Sequence, residues 1–235
     1  MDEFEFYRCH SALTDPGEHG LLFAELPTDV ATLGAIVRGV VVHRDETSWL
    51  HGFELSTQRR DEANIRWTRA ILGYLGDLRK RSAPQRFAGT CRDFSILLCA
   101  MLREVGVPAR LRAGFASYFL PGFFDDHWVV EYWSEAHGWR LADAQLAAGA
   151  AEAYRVDVDP VDIPRDAFLV GGQAWQDCRR GDRDPGQFGV SGIGLAGMGE
   201  VQGNVVRDLA ALAKVETLPW DSWGVIGRGT AGTAG

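Results

Sequence analysis

Cys91 stands in Gly89-Thr90-Cys91-Arg92-Asp93-Phe94, a loop glycine followed by a thiol and then an apolar run at helical spacing. A thiol at a helix start meets unsatisfied backbone N–H groups and the positive end of the helix dipole, which favour a thiolate nucleophile. A nucleophile needs a base, and the base needs an orienting group. His127, in Asp126-His127-Trp128-Val129-Val130, and Asp143, in Arg140-Leu141-Ala142-Asp143-Ala144-Gln145, supply these residue types. A hairpin turning about residues 134–138 pairs residues whose numbers sum to about 270–272, which sets His127 opposite Asp143 to Gln145 on one face. Asp143 then holds a ring N–H and fixes the imidazole tautomer that Cys91 requires. Asp125 and Asp126, beside His127 in the chain, are expected to point to the other face. The chemistry of such a set is acyl transfer through a thioester.

Other residues enter as accessories. The Cys91 backbone N–H and Gln85, six residues earlier, are candidate oxyanion donors, although Gln85 reads equally well as an exposed loop residue. The aromatic loop before His127 makes Phe123, Phe124 and Trp128 candidate substrate contacts. Trp220 and Trp223 are expected to dock back over the core rather than to line a pocket. Cys9, Cys99 and Cys178 read as structural, and His10, His19, His43, His51 and His137 as surface residues without metal-ligand spacing. Asp93 suits the helix dipole or a substrate contact. Gly192-Ile193-Gly194-Leu195-Ala196-Gly197 fits a dinucleotide fingerprint in letters only: Gly199 and Gly203 break the helix it should open, so it is expected to be a loop or lid.

The elements that must position these groups follow from periodicity. Thr28 or Asp29 caps a helix whose apolar positions run from Val30 to Val42, residues 57–82 carry a second helical pattern, and Cys91 to Val105 a third. The period then changes to that of strands at 109–119, 126–133 and 139–144. Beyond Gln145 the pattern weakens into loops, with helices expected at 166–178 and 205–215 around a glycine-rich stretch at 181–203. This order predicts an α+β fold. One domain over 1–228 is expected, comprising an N-terminal segment (1–60), a core (61–146) and a C-terminal extension (147–228), with 229–235 a flexible tail.

Composition narrows the partners. Of 235 residues, 46% are hydrophobic, enough for a sizeable core. The net charge of −8 and the lack of a basic run argue against a nucleic-acid partner. No apolar stretch reaches the roughly 18–20 residues of a membrane span, and the acidic N-terminus is unlike a targeting signal. A cytoplasmic protein with four reduced cysteines is expected.

Gly-x-Cys-x-Asp-Phe at 89–94, Gly106-Val107-Pro108-Ala109-Arg110, the His-Trp pair at 127–128 and Gly138-Trp139 followed by Asp143 together resemble the transglutaminase-like branch of the papain-type cysteine enzymes. The likeness covers about residues 60–146 in the family's order of Cys, His and Asp, and the part from Phe168 to Trp223 resembles the extension of a bacterial subgroup. It implies a nucleophile helix packed on an antiparallel sheet, a Cys91-His127-Asp143 site acting on a small-molecule or peptide acyl substrate, and no metal or organic cofactor. Water as acceptor gives an amidase or peptidase; an amine gives amide transfer. The alternatives are a tailoring enzyme of secondary metabolism on the same fold, or a non-catalytic scaffold.

Overall fold

A computed structural model describes residues 2–224. Its helices are α1 (Glu3–Arg8), α2 (Val30–Val40), α3 (Thr47–His51), α4 (Thr57–Arg60), α5 (Thr68–Leu75), α6 (Cys91–Glu104), α7 (Ala150–Tyr154), α8 (Gly171–Arg180) and α9 (Met198–Leu212). The strands are β1 (Val41–His43), β2 (Phe87–Gly89), β3 (Ala109–Ala116), β4 (Phe124–Ser134), β5 (Gly138–Ala142), β6 (Phe168–Val170), β7 (Phe188–Val190) and β8 (Leu195–Ala196). The tail expected over 229–235 lies outside the described residues. Among them, no helix is long and apolar enough to cross a membrane.

The main sheet runs β6-β3-β4-β7-β8, with β5 also on β4. Its centre, β3 with β4, is antiparallel, and β5 continues that pattern with Val130 opposite Ala142 and Tyr132 opposite Arg140. These pairs sum to 272, the upper end of the expected register. A separate parallel pair, β1 with β2, aligns His43 with Gly89.

Helix α6 is the hub: Arg92 to Arg103 are all buried along it. Phe94, Leu97, Leu98 and Met101 share one core with Leu111, Ala113, Trp128 and Val130 of the sheet, and with Leu33, Val37, Ile71 and Leu72 of α2 and α5. Each fully buried side chain of this size contributes about 1.5–3 kcal/mol of transfer free energy, so the helix that carries Cys91 is among the most strongly fixed elements. This is the expected α+β arrangement of a nucleophile helix on an antiparallel sheet.

Four helix boundaries differ from expectation: Val41 and Val42 leave the first helix to form β1, and the helix expected over 166–178 runs over Gly171–Arg180 after β6. The stretch 57–82 breaks into α4, a 3₁₀ turn at Asp61–Asn64 and α5, which ends at Gly76 with φ 71°. Ile65, Ile71, Leu72, Leu75 and Leu78 still join one core, and the left-handed glycine terminates the last turn. Conversely, α9 begins at Met198 and runs through Gly199 and Gly203. At the α8–α9 crossing a Cβ on Gly171 would lie 2.7 Å from the Asn204 backbone, so here glycine serves close packing and helix propensity is overridden.

Candidate active site

Cys91 is delivered to its place by β2, hydrogen-bonded into the chain through β1, and then by an abrupt turn into α6. The Asp93 side chain folds back to accept the Thr90 N–H at 2.8 Å and the Thr90 hydroxyl at 3.2 Å. A Cβ on Gly89 would lie 2.7 Å from that of Asp93, which explains why the residue two before the cysteine is glycine. Arg92, fully buried, binds Asp93 at 3.3 Å and the carbonyls of Arg66 and Glu216 at 2.7 Å each. Asp93 is therefore a buried cap that fixes the helix start.

His127 and Asp143 come together as the register requires. Asp143 lies just past β5, diagonal to His127, and its Oδ2 is 2.8 Å from His127 Nε2. The same oxygen accepts the Tyr118 hydroxyl at 2.8 Å, and Oδ1 accepts the Gln145 N–H at 2.9 Å. With Nε2 engaged, Nδ1 is the nitrogen left for the Cys91 thiol, which interacts with the ring. Burial opposes charge on the imidazole, but Asp143, with a further contribution from Cys91, raises its pKa to about 10. Burial and the neighbouring Asp143 push the Tyr118 phenol well above its ordinary value, so Tyr118 serves Asp143 as a neutral donor. Phe119 packs edge-on against the His127 ring at 5.0 Å between centroids.

A cavity of about 1080 Å³ opens over Cys91 and His127. The accessory residues expected to line it do not. Gln85 is exposed on a 3₁₀ turn, its Oε1 accepting the Ser82 hydroxyl at 2.9 Å. Phe124 is stacked on Phe188 at 4.5 Å and Trp128 is fully buried under α6. Both differ from His127 by an odd number of positions and so face the other side of the strand. Phe123, just before β4, is half-buried and also outside the lining.

The aromatic lining instead comes from Phe119, Trp49, Tyr154 and Trp220, the last stacked beneath Arg44 at 4.6 Å. Trp220 thus lines the cavity rather than capping the core. Asp125 and Asp126 line it as well; Asp126, one position from His127, is on the opposite face of the strand as expected and reaches the cavity beside Arg207. Asp125, two residues from His127, shares its face and is held by the Ser191 N–H at 2.9 Å and the Ser191 hydroxyl at 2.6 Å. The glycine-rich stretch forms wall rather than a nucleotide loop: Gly192, Ile193 and Leu195 border the space.

His43, expected on the surface, is a cavity residue. Its Nδ1 accepts the Asp45 N–H at 3.2 Å, which leaves the proton on Nε2, and burial lowers its pKa so that the ring is neutral. Beside it, buried Glu46 binds Arg38 at 2.5 Å, the His43 N–H at 3.0 Å and the Tyr154 hydroxyl. The long-range β1–β2 pairing brings His43 here, and its local sequence carries no sign of it. Of the cysteines, Cys99 is buried and its thiol is pushed up to about 12 by burial, consistent with a core role. Among the described residues, no three His, Cys, Asp or Glu side chains converge as metal ligands would.

Cys91 at the start of α6 thus stands against His127 of β4 and Asp143 just past β5. Residues 62–144 match the model of the transglutaminase-like superfamily, and this part of the chain is a transglutaminase-like core. The chain is also similar to a protein-glutamine gamma-glutamyltransferase of Pseudomonas aeruginosa, 29% identical over 132 residues, 49% of this chain and 20% of that protein. It therefore spans about a fifth of that relative's length. A solved structure of a proposed cysteine protease from Cytophaga hutchinsonii is 17% identical, with a TM-score of 0.40 over 72% of this chain and 46% of the other.

Proposed function

We propose that the chain is a cysteine-dependent acyl-transfer enzyme acting on a small-molecule or peptide amide, or a related acyl group, through Cys91, His127 and Asp143. The observation that carries the reading is the Asp143–His127 bond of 2.8 Å in a nearly closed setting, with the ring beside Cys91 at the edge of a large cavity. The thiol proton rests on His127 Nδ1 before sulfur attacks the acyl carbon, and Asp143 stabilises that imidazolium. The oxyanion lies between the first N–H groups of α6, which lack intrahelical acceptors, and His43 Nε2–H. His127 then protonates the leaving amine, the C–N bond breaks, and a thioester remains. Water or an amine attacks it, returns a proton to His127, and frees the sulfur.

Amide transfer is the activity in the name of the Pseudomonas relative, and it supports the reading that an amine is the acceptor here. The test is intact-protein mass spectrometry after incubation with activated acyl esters. An adduct on Cys91 that an added amine discharges, with amide product exceeding free acid, supports transfer; free acid alone supports hydrolysis. Alkylation of Cys91 by iodoacetamide no faster than in the denatured chain would overturn the nucleophile assignment.

A further inference from the structure

The wall of the cavity contributed by α9 is nearly bare. Gly199 and Gly203 line it, and between and beyond them only Glu200 and Arg207 present side chains. A Cβ on Gly203 would lie 3.2 Å from Arg207 Nη1, so the glycine makes room for the guanidinium.

Arg207 is unusual among the buried arginines of this chain. Arg112 binds both oxygens of Asp208 and one of Glu131, each at 2.8 Å. Arg92 binds a carboxylate and two carbonyls, and Arg103 a carbonyl, a hydroxyl and Glu216. Arg92 and Arg103 each leave one buried nitrogen, Nε and Nη2, without a hydrogen-bond partner, whereas Arg207, with its side chain only 9% exposed, leaves two, Nε and Nη1. Its facing carboxylate, Asp126, lies 3.9 Å away, beyond hydrogen-bonding distance. Asp126 itself is 9% exposed and immediately precedes His127. A permanently charged guanidinium held in a cavity wall without its hydrogen bonds is costly unless a ligand completes them.

Resting on the reading of this cavity as the substrate chamber, we propose that Arg207 and Asp126 form a subsite for an α-amino-acid end of the substrate. Its carboxylate binds Arg207, and the N–H on the adjacent carbon donates to Asp126. The surroundings favour this chemistry over a bare polyanion. Asp125, Asp126 and Glu200 share the wall with Arg207, while the other guanidinium of the lining, Arg44, is stacked over Trp220, so a dianion at Arg207 would meet repulsion, whereas a planar monoanion with a donor beside it matches both partners. The nearby aromatic surface of Phe119, Trp49 and Trp220 suits an apolar group on the same ligand. The carboxylate of a free amino acid and that of a chain terminus share this chemistry. Arg207 is a specificity residue supplied by the part of the chain outside the core.

The test uses the full chain carrying Cys91→Ala, so that binding is read without turnover, through the fluorescence of the cavity tryptophans. The probes are L-phenylalanine, N-acetyl-L-phenylalanine, N-acetyl-L-phenylalaninamide and inorganic phosphate. The expected result is that one or both carboxylates bind about tenfold or more tightly than the amide, as charge-assisted hydrogen bonds allow. Arg207→Gln reduces the difference to within about twofold. Gly203→Ala, which crowds the guanidinium without removing it, weakens carboxylate binding as well and covers the case in which Arg207→Gln fails to fold. Tighter binding of phenylalanine than of its N-acetyl form identifies a free amino acid; the reverse identifies a chain terminus. Equal affinity for carboxylate and amide, no binding of any probe, a preference for phosphate, or carboxylate selectivity that survives in Arg207→Gln would each overturn the proposal. Failure of the acyl-adduct test would leave this binding result standing, and loss of selectivity here would leave the adduct result standing.

Discussion

Strand β4 carries a buried ionic cluster toward each end, and the two are built to opposite specifications. Toward its C-terminal end, Glu131 receives Arg110 at 2.7 Å, Arg112 at 2.8 Å and Arg165 at 2.5 Å, while Arg112 also clasps Asp208 of α9. The carboxylate oxygens are occupied, and the arginines hold its pKa down to about 2 against the opposing effect of burial. Toward the N-terminal end, His127 is bound on one nitrogen and turned to a thiol on the other, and Asp126 and Arg207 stand 3.9 Å apart at the cavity wall without a hydrogen bond between them. Arg207 and Asp208 are consecutive residues of one helix, one facing each cluster. A saturated cluster can only hold the sheet and helix together. An unsaturated one beside a cavity retains donors and acceptors for something else.

The comparison fails at its root if Cys91 is not the reactive group. Cys91→Ala is expected to abolish turnover, by about 10⁴-fold or more, with the melting temperature little changed. Normal turnover in this variant would remove the distinction between the two ends. Asp143→Asn is expected to lower kcat by about 10²- to 10⁴-fold and leave KM nearly unaltered, because the amide cannot stabilise the imidazolium or enforce its tautomer. An effect confined to KM would show that Asp143 acts on substrate instead.

At the saturated end the expected loss is of stability. Asp208→Asn leaves Arg112 buried with a weakened partner and should lower the unfolding free energy by about 3 kcal/mol, with turnover per folded molecule retained. Chemical denaturation and active-site titration read the two quantities separately, and a large fall in turnover without loss of stability would invert the assignment. His43→Ala, at the open end, is expected to lower kcat by about 10²- to 10³-fold with little change in stability, as loss of one oxyanion donor does. Unchanged kcat would leave the helix N–H groups as the oxyanion site.

The saturated and open ends were not equally legible in the sequence. Cys91, His127 and Asp143 could be found because a helix start, a hairpin register and a shared strand face are local or nearly local properties. The same parity rule excludes Phe124 and Trp128 from the His127 face, and it places Asp125 on it; proximity in the chain is a poor guide where side chains alternate. Gln85 fails because six residues of spacing do not specify a backbone path: its stretch forms an exposed 3₁₀ turn before β2. His43 and Arg207 were beyond reach for a different reason. His43 depends on a parallel pairing between residues more than forty positions apart, and Arg207 on a helix that runs through two glycines which, on propensity alone, mark a break. The core motif therefore points to the proposed reacting groups, while the chamber around them is assembled from contacts distant in sequence.

The smallest expected difference between the two ends lies in how each responds to pH. Glu131 has a folded pKa near 2, depressed from 4.5, so its stabilisation is full above about pH 4.5 and is lost as pH falls toward 2. His127 has a folded pKa raised from 6.5 to about 10, so its contribution is full below about pH 6.5 and is lost as pH rises through 10. Unfolding free energies measured across this range should fall at both extremes, the acid limb by about 3 kcal/mol from Glu131. Glu131→Gln should flatten the acid limb and leave the alkaline one; Asp143→Asn should flatten the alkaline limb and leave the acid one. If either substitution altered both limbs equally, the clusters would be electrostatically coupled along β4, and treating one as structural and the other as chemical would be wrong.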